Sequence, residues 1–158
     1  MPRSSHINES GAAKMVDVSL KKPTLRTARA EALVKMSPGT FKTIYERNAP
    51  KGDVLGVARV AGIMSAKHVS DLIPMCHPIS ISSVRVVFEP VGNDAIRIIT
   101  EAKVVERTGV EMEAMTAAAV AALTIYDMVK SLDRGMTIER IRLLSKTGGK
   151  SDDYKLEK

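Results

Sequence analysis

The sequence predicts an α+β sandwich, a mainly antiparallel sheet with helices packed on one face. Three observations carry this reading. Stretches of period-two alternation and stretches of helical periodicity are interleaved along the chain. Two alternating runs, 79–89 and 95–107, flank Pro90-Val91-Gly92-Asn93-Asp94, the pattern of adjacent antiparallel strands. A long Ala-rich stretch from about Thr108 to Leu132 reads as a helix whose small side chains permit another backbone to approach closely.

Each element follows in order. Residues 1–13 are polar and aperiodic, the composition of a flexible terminus, and His6 is given no role. Val16, Val18 and Leu20 alternate with Met15, Asp17 and Ser19, which predicts a short strand over 15–20, ended by Lys21-Lys22-Pro23. From Leu25 to Met36, Ala28, Ala30, Ala32, Val34 and Met36 alternate with Arg29, Glu31 and Lys35, a strand with a small-sided buried face. Ser37-Pro38-Gly39-Thr40 turns into a short amphipathic helix reaching about Arg47, with Pro38 in its first turn. Asp53 suits the N-cap of a helix through about Lys67, because its carboxylate can accept from the free first-turn amides.

That helix carries Val54, Leu55, Val57, Val60, Ile63 and Met64 with little polar face, so burial on most sides, and hence oligomerisation, is expected. Gly56 and Gly62 each cost roughly 1 kcal/mol against Ala in a helix interior, which predicts another element close by. Residues 68–78, with Pro74 and Pro78 bracketing Met75-Cys76-His77, read as a stiff non-helical connection. In the second hairpin strand Ile96, Ile98, Thr100, Ala102 and Val104 alternate with Arg97, Glu101, Lys103 and Arg107, giving one buried and one wet face. Gly135 ends the long helix, a last strand runs from about Thr137 to Ser145, and a Gly/Lys-rich tail follows. There is no internal repeat. The order ββααββαβ closes on α-β-β-α-β, which makes a ferredoxin-like unit once an early strand completes it.

Composition bounds the function. At 158 residues the chain fits one domain, expected over 14–147 between the terminus and a flexible tail at 148–158. A formal net charge of +6 and a pI near 9.5 point to anionic partners, whether nucleic acid, a phosphorylated metabolite or an anionic surface. Aromatic residues are only 3% and Trp is absent, which weighs against base-stacking platforms and towards a phosphorylated small molecule. One Cys excludes an intramolecular disulfide, and no signal-like apolar segment opens the chain, so a cytoplasmic location is expected. No segment is expected to be long and apolar enough to span a membrane.

Several residues could carry chemistry. Lys51 precedes a helix N-cap, where the dipole disfavours a cation, so it is either a solvated loop lysine or one paired with an anion. His77 beside Cys76 could bind phosphate or move protons. A zinc site is disfavoured by one Cys, three His and no paired spacing. A Cys76–His77 nucleophile pair is disfavoured because adjacent extended side chains diverge, which leaves core packing for Cys76. Thr108-Gly-Val-Glu111 matches a capping box, whereas Glu113 has no such explanation and is the stronger functional candidate.

Asp127 and Lys130, at i and i+3, are either an exposed ion pair or a proton-transfer pair in which nearby cations lower the lysine's pKa. Glu113 and Asp127 stand about 21 Å apart along a helix, too far for one small substrate to bridge within one chain. If both serve catalysis, a second subunit brings the ends together. The tail Lys146-Thr-Gly-Gly-Lys-Ser151 fails the Walker pattern, with Leu144 at its first glycine and no helix after it, but can act as a basic strand end closing over an anion.

Together, Lys51-Gly-Asp-Val-Leu, Pro-Met-Cys-His-Pro, Gly-Val-Glu-Met-Glu-Ala-Met-Thr, Tyr-Asp-Met-Val-Lys, Lys-Thr-Gly-Gly-Lys-Ser and the early Lys21 and Thr24-x-Arg26 resemble the molybdenum-cofactor biosynthesis protein C (MoaC) family, the cyclic pyranopterin monophosphate synthases. The match runs in order from about Met15 to Ser151, departing at Asp152 where the family usually has glycine. The resemblance implies a ferredoxin-like lyase that acts on a cyclised dihydro-GTP and releases pyrophosphate. It further implies a homohexamer built from dimers, with active sites at subunit interfaces and no nucleic-acid or membrane partner. Lys51 and Lys130 fall at proton-transfer positions and Asp127 at an acidic active-site position. Met75, Cys76 and His77, with Met112 and Glu113 and the neighbouring Glu111, fall at or beside substrate contacts. Lys21, Arg26, Lys146 and Lys150 become candidates for the triphosphate. No cofactor or resident metal is implied, Mg²⁺ only accompanying the triphosphate. The rival reading is a basic nucleic-acid-binding oligomer using the Arg/Lys face of the hairpin.

Overall fold

A computed structural model of the chain describes residues 7–8, 10–149 and 152–157. Its elements are β1 (Thr24–Lys35), α1 (Pro38–Tyr45), α2 (Val54–Ala66), α3 (Val69–Leu72), β2 (Ser83–Val91), β3 (Ala95–Glu106), α4 (Glu111–Val129), β4 (Thr137–Thr147) and β5 (Tyr154–Lys155). The strands form one antiparallel sheet in the order β2-β3-β1-β4-β5. This is the expected ferredoxin-like α+β sandwich: β1, the β2–β3 hairpin and β4 interleave with helices in a β-α-β-β-α-β run.

The core explains the alanines. Ala28, Ala30 and Ala32 of β1 and Ala114, Ala117, Ala118, Ala121 and Ala122 of α4 are all buried, so helix and sheet meet through small side chains. Ile96 and Ile98 of β3 and Ile125 of α4 supply the larger apolar volume, each worth about 1.5–3 kcal/mol when fully buried. Helix α2 packs on α4 at Gly62, where a Cβ would come 2.9 Å from the Ala117 carbonyl oxygen. Only glycine fits that crossing. The neighbour at Gly56 is not another element but the Asp53 carboxylate capping the same helix.

Several expectations are corrected. Residues 15–20 form no strand, although Val16 and Val18 are the more covered positions of that run. The connection 68–78 contains one helical turn, α3, and β2 begins at Ser83 and runs through Pro90 to Val91. Pro90 is tolerated because β2 is the edge strand of the sheet. Within one chain, helix α2 is not buried on most sides: Val57, Val60 and Met64 are 45%, 56% and 55% exposed. One helix does reach membrane-spanning length and hydropathy, since α4 has a mean hydropathy of 1.3 over 18 residues. Its alanines and core position account for that value, with half of the stretch buried against the sheet and α2. Residues 154–155, assigned to the tail, pair with Ser145 and Lys146 as β5.

On the sheet face away from the helices, Glu31 is fully buried and accepts from Arg97 Nε at 2.6 Å, Arg142 Nε at 2.7 Å and Arg140 Nε at 3.0 Å. Burial pushes its carboxyl up, but the hydrogen bonds from Arg97 and Arg142 outweigh burial and hold it below the ordinary range.

Candidate active site

Two compartments meet at the N-terminal end of α4. The first is a cavity of about 320 Å³ whose lining includes Met75, Cys76 and His77 from the loop after α3. Glu111, Met112 and Glu113 of α4 line it from below, and Val16, Val18 and Lys21 of the N-terminal segment close another side. The prolines at 74 and 78 fix the Met-Cys-His backbone there. The second is a cleft of about 180 Å³ bearing Lys21, Arg26, Arg107 and Lys146. Lys21, Thr108, Gly109 and Glu111 line both, so the compartments are continuous.

Glu113 is the distinctive group. It is only 4% exposed, and burial, reinforced by the nearby Glu111 carboxylate, pushes its carboxyl up to about 7, against a smaller opposing effect of its own backbone amide. It can therefore donate or accept a hydrogen bond near neutrality. The Cys76 thiol is pushed up by burial and by Glu113, which makes it an apolar contact rather than a nucleophile. The His77 Nε2 hydrogen bonds to the Val16 carbonyl at 2.8 Å.

The expected capping box does not form. Val110 is the N-cap without a side-chain bond, and Glu111 instead pairs with Lys146 Nζ at 2.9 Å across the cleft. Opposite, Arg26 donates to the Glu106 and Arg107 carbonyls at 2.9 and 3.2 Å, closing the end of β3. Gly148, at φ +91°, lies so close to β1 that a Cβ would overlap the Leu25 carbonyl, and a Cβ on Gly149 would overlap the Arg26 guanidinium. The two glycines thus let β4 run past the cationic cleft at backbone distance.

The other end of α4 carries a separate cluster. Lys51 Nζ donates to the Asp127 carbonyl at 2.9 Å and to its Oδ2 at 3.1 Å, while Lys130 Nζ donates to Oδ1 at 2.7 Å. The first of these bonds explains a cation ahead of an N-cap: Lys51 reaches the C-terminal turn of α4, where a positive charge is favoured. Hydrogen bonds from Lys130, then Lys51, hold the Asp127 carboxyl low, and that bond to Asp127 raises the Lys130 ammonium. Of the two readings of the Asp127–Lys130 pair, one chain forms the exposed ion pair: the side chains are 57% and 53% exposed, and the bond to Asp127 raises Lys130 rather than lowering it.

The sequence-predicted residues thus fall into two groups. Lys21, Arg26, Met75, Cys76, His77, Glu111, Met112, Glu113 and Lys146 gather at one end of α4, and Lys51, Asp127 and Lys130 at the other. Lys150 and Ser151, like His6, lie outside the described residues. Val16, Val18, Arg107, Thr108 and Gly109 were not expected at the site. The position of Arg107-Thr-Gly, where an alternating strand hands over to a helix, was the available signal. Among the described residues no group of three His, Cys, Asp or Glu side chains is arranged to hold a metal ion.

Comparison with known proteins bears on these residues. The model of the MoaC family matches residues 15–149. A protein of Methylobacterium nodulans, named cyclic pyranopterin monophosphate synthase, is 58% identical over 158 residues, covering 99% of each chain. One of Methylobacterium sp. (strain 4-46) with the same name is 58% identical over 151 residues, covering 95% of this chain and 94% of its own.

Proposed function

The chain belongs to the MoaC family, and from that premise we propose that it is a cyclic pyranopterin monophosphate synthase of molybdenum cofactor biosynthesis. It is a lyase that converts (8S)-3′,8-cyclo-7,8-dihydroguanosine 5′-triphosphate into cyclic pyranopterin monophosphate and pyrophosphate. The observation that carries the reading onto these residues is the continuity of the two compartments through Lys21 and Glu111. A ring with polar edges suits the cavity floored by Glu113 and Met112, and a triphosphate suits the cleft of Lys21, Arg26, Arg107 and Lys146. Cyclisation of the phosphate develops negative charge on the departing pyrophosphate, which fixed cations stabilise.

In this reading Lys51 and Lys130 transfer protons and Asp127 orients them. Asp127, to which both lysines bond, stands about 21 Å from Glu113 along α4, so a complete site takes one end of α4 from each of two subunits. The assembly is a homohexamer, a trimer of dimers, with active sites at the interfaces. The exposed apolar strip of Val57, Val60 and Met64 on α2 supports association of copies. No cofactor is required, and any Mg²⁺ enters as the counter-ion of the substrate's triphosphate. The enzyme works in the cytoplasm and needs neither nucleic acid nor membrane.

Incubating the purified protein with the cyclised nucleotide tests this directly. Pyrophosphate and, after oxidation, a fluorescent pterin are the expected products. Neither product, together with strongly salt-dependent binding to nucleic acid, would favour the rival nucleic-acid reading.

A further inference from the structure

We propose that His77 is a positioning residue, whose imidazole latches the segment 15–21 against the ring cavity and so sets Lys21 between the ring and phosphate compartments. The latch is the 2.8 Å hydrogen bond from His77 Nε2 to the Val16 carbonyl, which joins groups 61 residues apart in the chain. A carbonyl oxygen only accepts, so Nε2 carries the hydrogen and the tautomer is fixed by the tether.

The segment has little else to hold it. It forms no strand, and among the described residues its other hydrogen bonds are internal: the Ser19 amide to Asp17 Oδ1 at 2.8 Å and the Lys21 amide to the Val18 carbonyl at 3.0 Å. Those two bonds turn the chain after Val18 and deliver Lys21 to the position that lines both compartments. The turn's own tip contributes no anchoring burial, since Leu20 is 98% exposed. What remains is the imidazole tether and the half-covered side chains of Val16 and Val18 on the cavity wall.

The consequence for the substrate rests on the synthase reading; the latch itself does not. A lost latch loosens one wall and one cation together, while leaving Glu113, Lys51, Asp127 and Lys130 where they are. His77 therefore acts on substrate binding through Val16 rather than on proton transfer.

Two measurements on the full-length protein test this. In limited trypsinolysis without substrate, the Lys21–Lys22 bond should be cleaved about five- to tenfold faster in His77→Ala than in the wild type, the factor that loss of one hydrogen bond implies. With the cyclised nucleotide, KM should rise by a similar factor while kcat changes much less. His77→Gln, whose side-chain amide can donate at comparable reach, should restore both values toward wild type. Unchanged protection of Lys21–Lys22 in His77→Ala would overturn the latch. So would collapse of kcat in both variants with that bond still protected, which would assign His77 to the chemistry itself. A wild type without synthase activity would refute the synthase reading alone, and accelerated cleavage in His77→Ala would still support the latch.

Discussion

The two ends of α4 solve opposite electrostatic problems. At its N-terminal end Glu113 is withdrawn from water, and burial lifts its carboxyl to about 7. At its C-terminal end the Asp127, Lys51 and Lys130 side chains are 57%, 45% and 53% exposed, and pairing favours the charged forms of Asp127 and Lys130. One end is a formed compartment, the other an open ion cluster in water. On the proposed reading, a single chain builds the binding half and leaves the proton-transfer half uncovered. A lysine that must give up or take a proton near neutrality needs desolvation as well as a cationic neighbour; Lys51 shares the Asp127 carboxylate with Lys130, but in this chain both side chains stay about half exposed. A neighbouring subunit's ring and triphosphate cleft, laid over the cluster, would supply that desolvation.

The largest effects should come from the open end. Lys51→Ala and Lys130→Ala are each expected to keep the folded oligomer and to lower turnover by about 10²-fold to 10⁴-fold, the range of a lost general acid or base. Turnover near wild type in either purified variant sinks the assignment. The comparison itself is tested by mixing. Glu113→Gln and Lys130→Ala oligomers, each impaired, should regain activity when dissociated and reassembled together, because some interfaces then pair an intact cavity with an intact cluster. No recovery in verified mixed oligomers would mean that the two ends do not share a site.

Much of this division was legible in the residues. Alternation in 25–36 and 95–107, Pro38 after Ser37, and Asp53 before an apolar run each placed an element to within a few residues, because the signals are local. The separation of Glu113 from Asp127 followed from helical rise alone. What could not be read were contacts between segments distant in sequence. Glu111 looked like a capping-box partner because its local spacing is right, yet Lys146 from β4 captures it. Residues 15–20 alternate like a strand, but with β4 and β3 already flanking β1 they find no ladder partner, and only the alternation of cover survives. Glu31 looked like a solvent-facing residue of β1, and its burial depends on three arginines from two other strands.

A smaller effect separates the ends by pH. Glu113 has a folded-state pKa of about 7, raised by burial and Glu111 above its ordinary value of 4.5. Between those two values the folded protein holds the proton more tightly than the unfolded chain does. Its contribution is therefore fully present below pH 4.5 and is lost as pH rises through 7. Glu113→Gln, which mimics the protonated form, should accordingly be more stable than wild type above pH 7, by up to about 3 kcal/mol, the free-energy equivalent of that rise in pKa at roughly 1.4 kcal/mol per unit. The gap should close on acidification, as read by denaturant titrations at pH 5 and 8. A pH-independent gap would mean that Glu113 is ionised or exposed in the assembled protein.

The smallest expected effect concerns Asp53, which belongs to the open end without touching its ions. Its Oδ1 accepts the Gly56 amide at 3.0 Å, starting α2, and the turn just before it holds Lys51, with the Gly52 amide bonded to the Ala49 carbonyl at 3.0 Å. Asp53→Ala should cost about 1 kcal/mol of stability. That corresponds to a Tm lower by about 2–4 °C for a domain of this size. Because Lys51 is aimed by that turn, kcat should fall modestly while KM stays close to wild type, since the cavity and cationic cleft lie at the other end of α4. Asp53→Asn keeps a capping oxygen and should recover most of both losses. A rise in KM as large as the fall in kcat would show that the two ends are not separable in the assembled enzyme, and the comparison between them would fail.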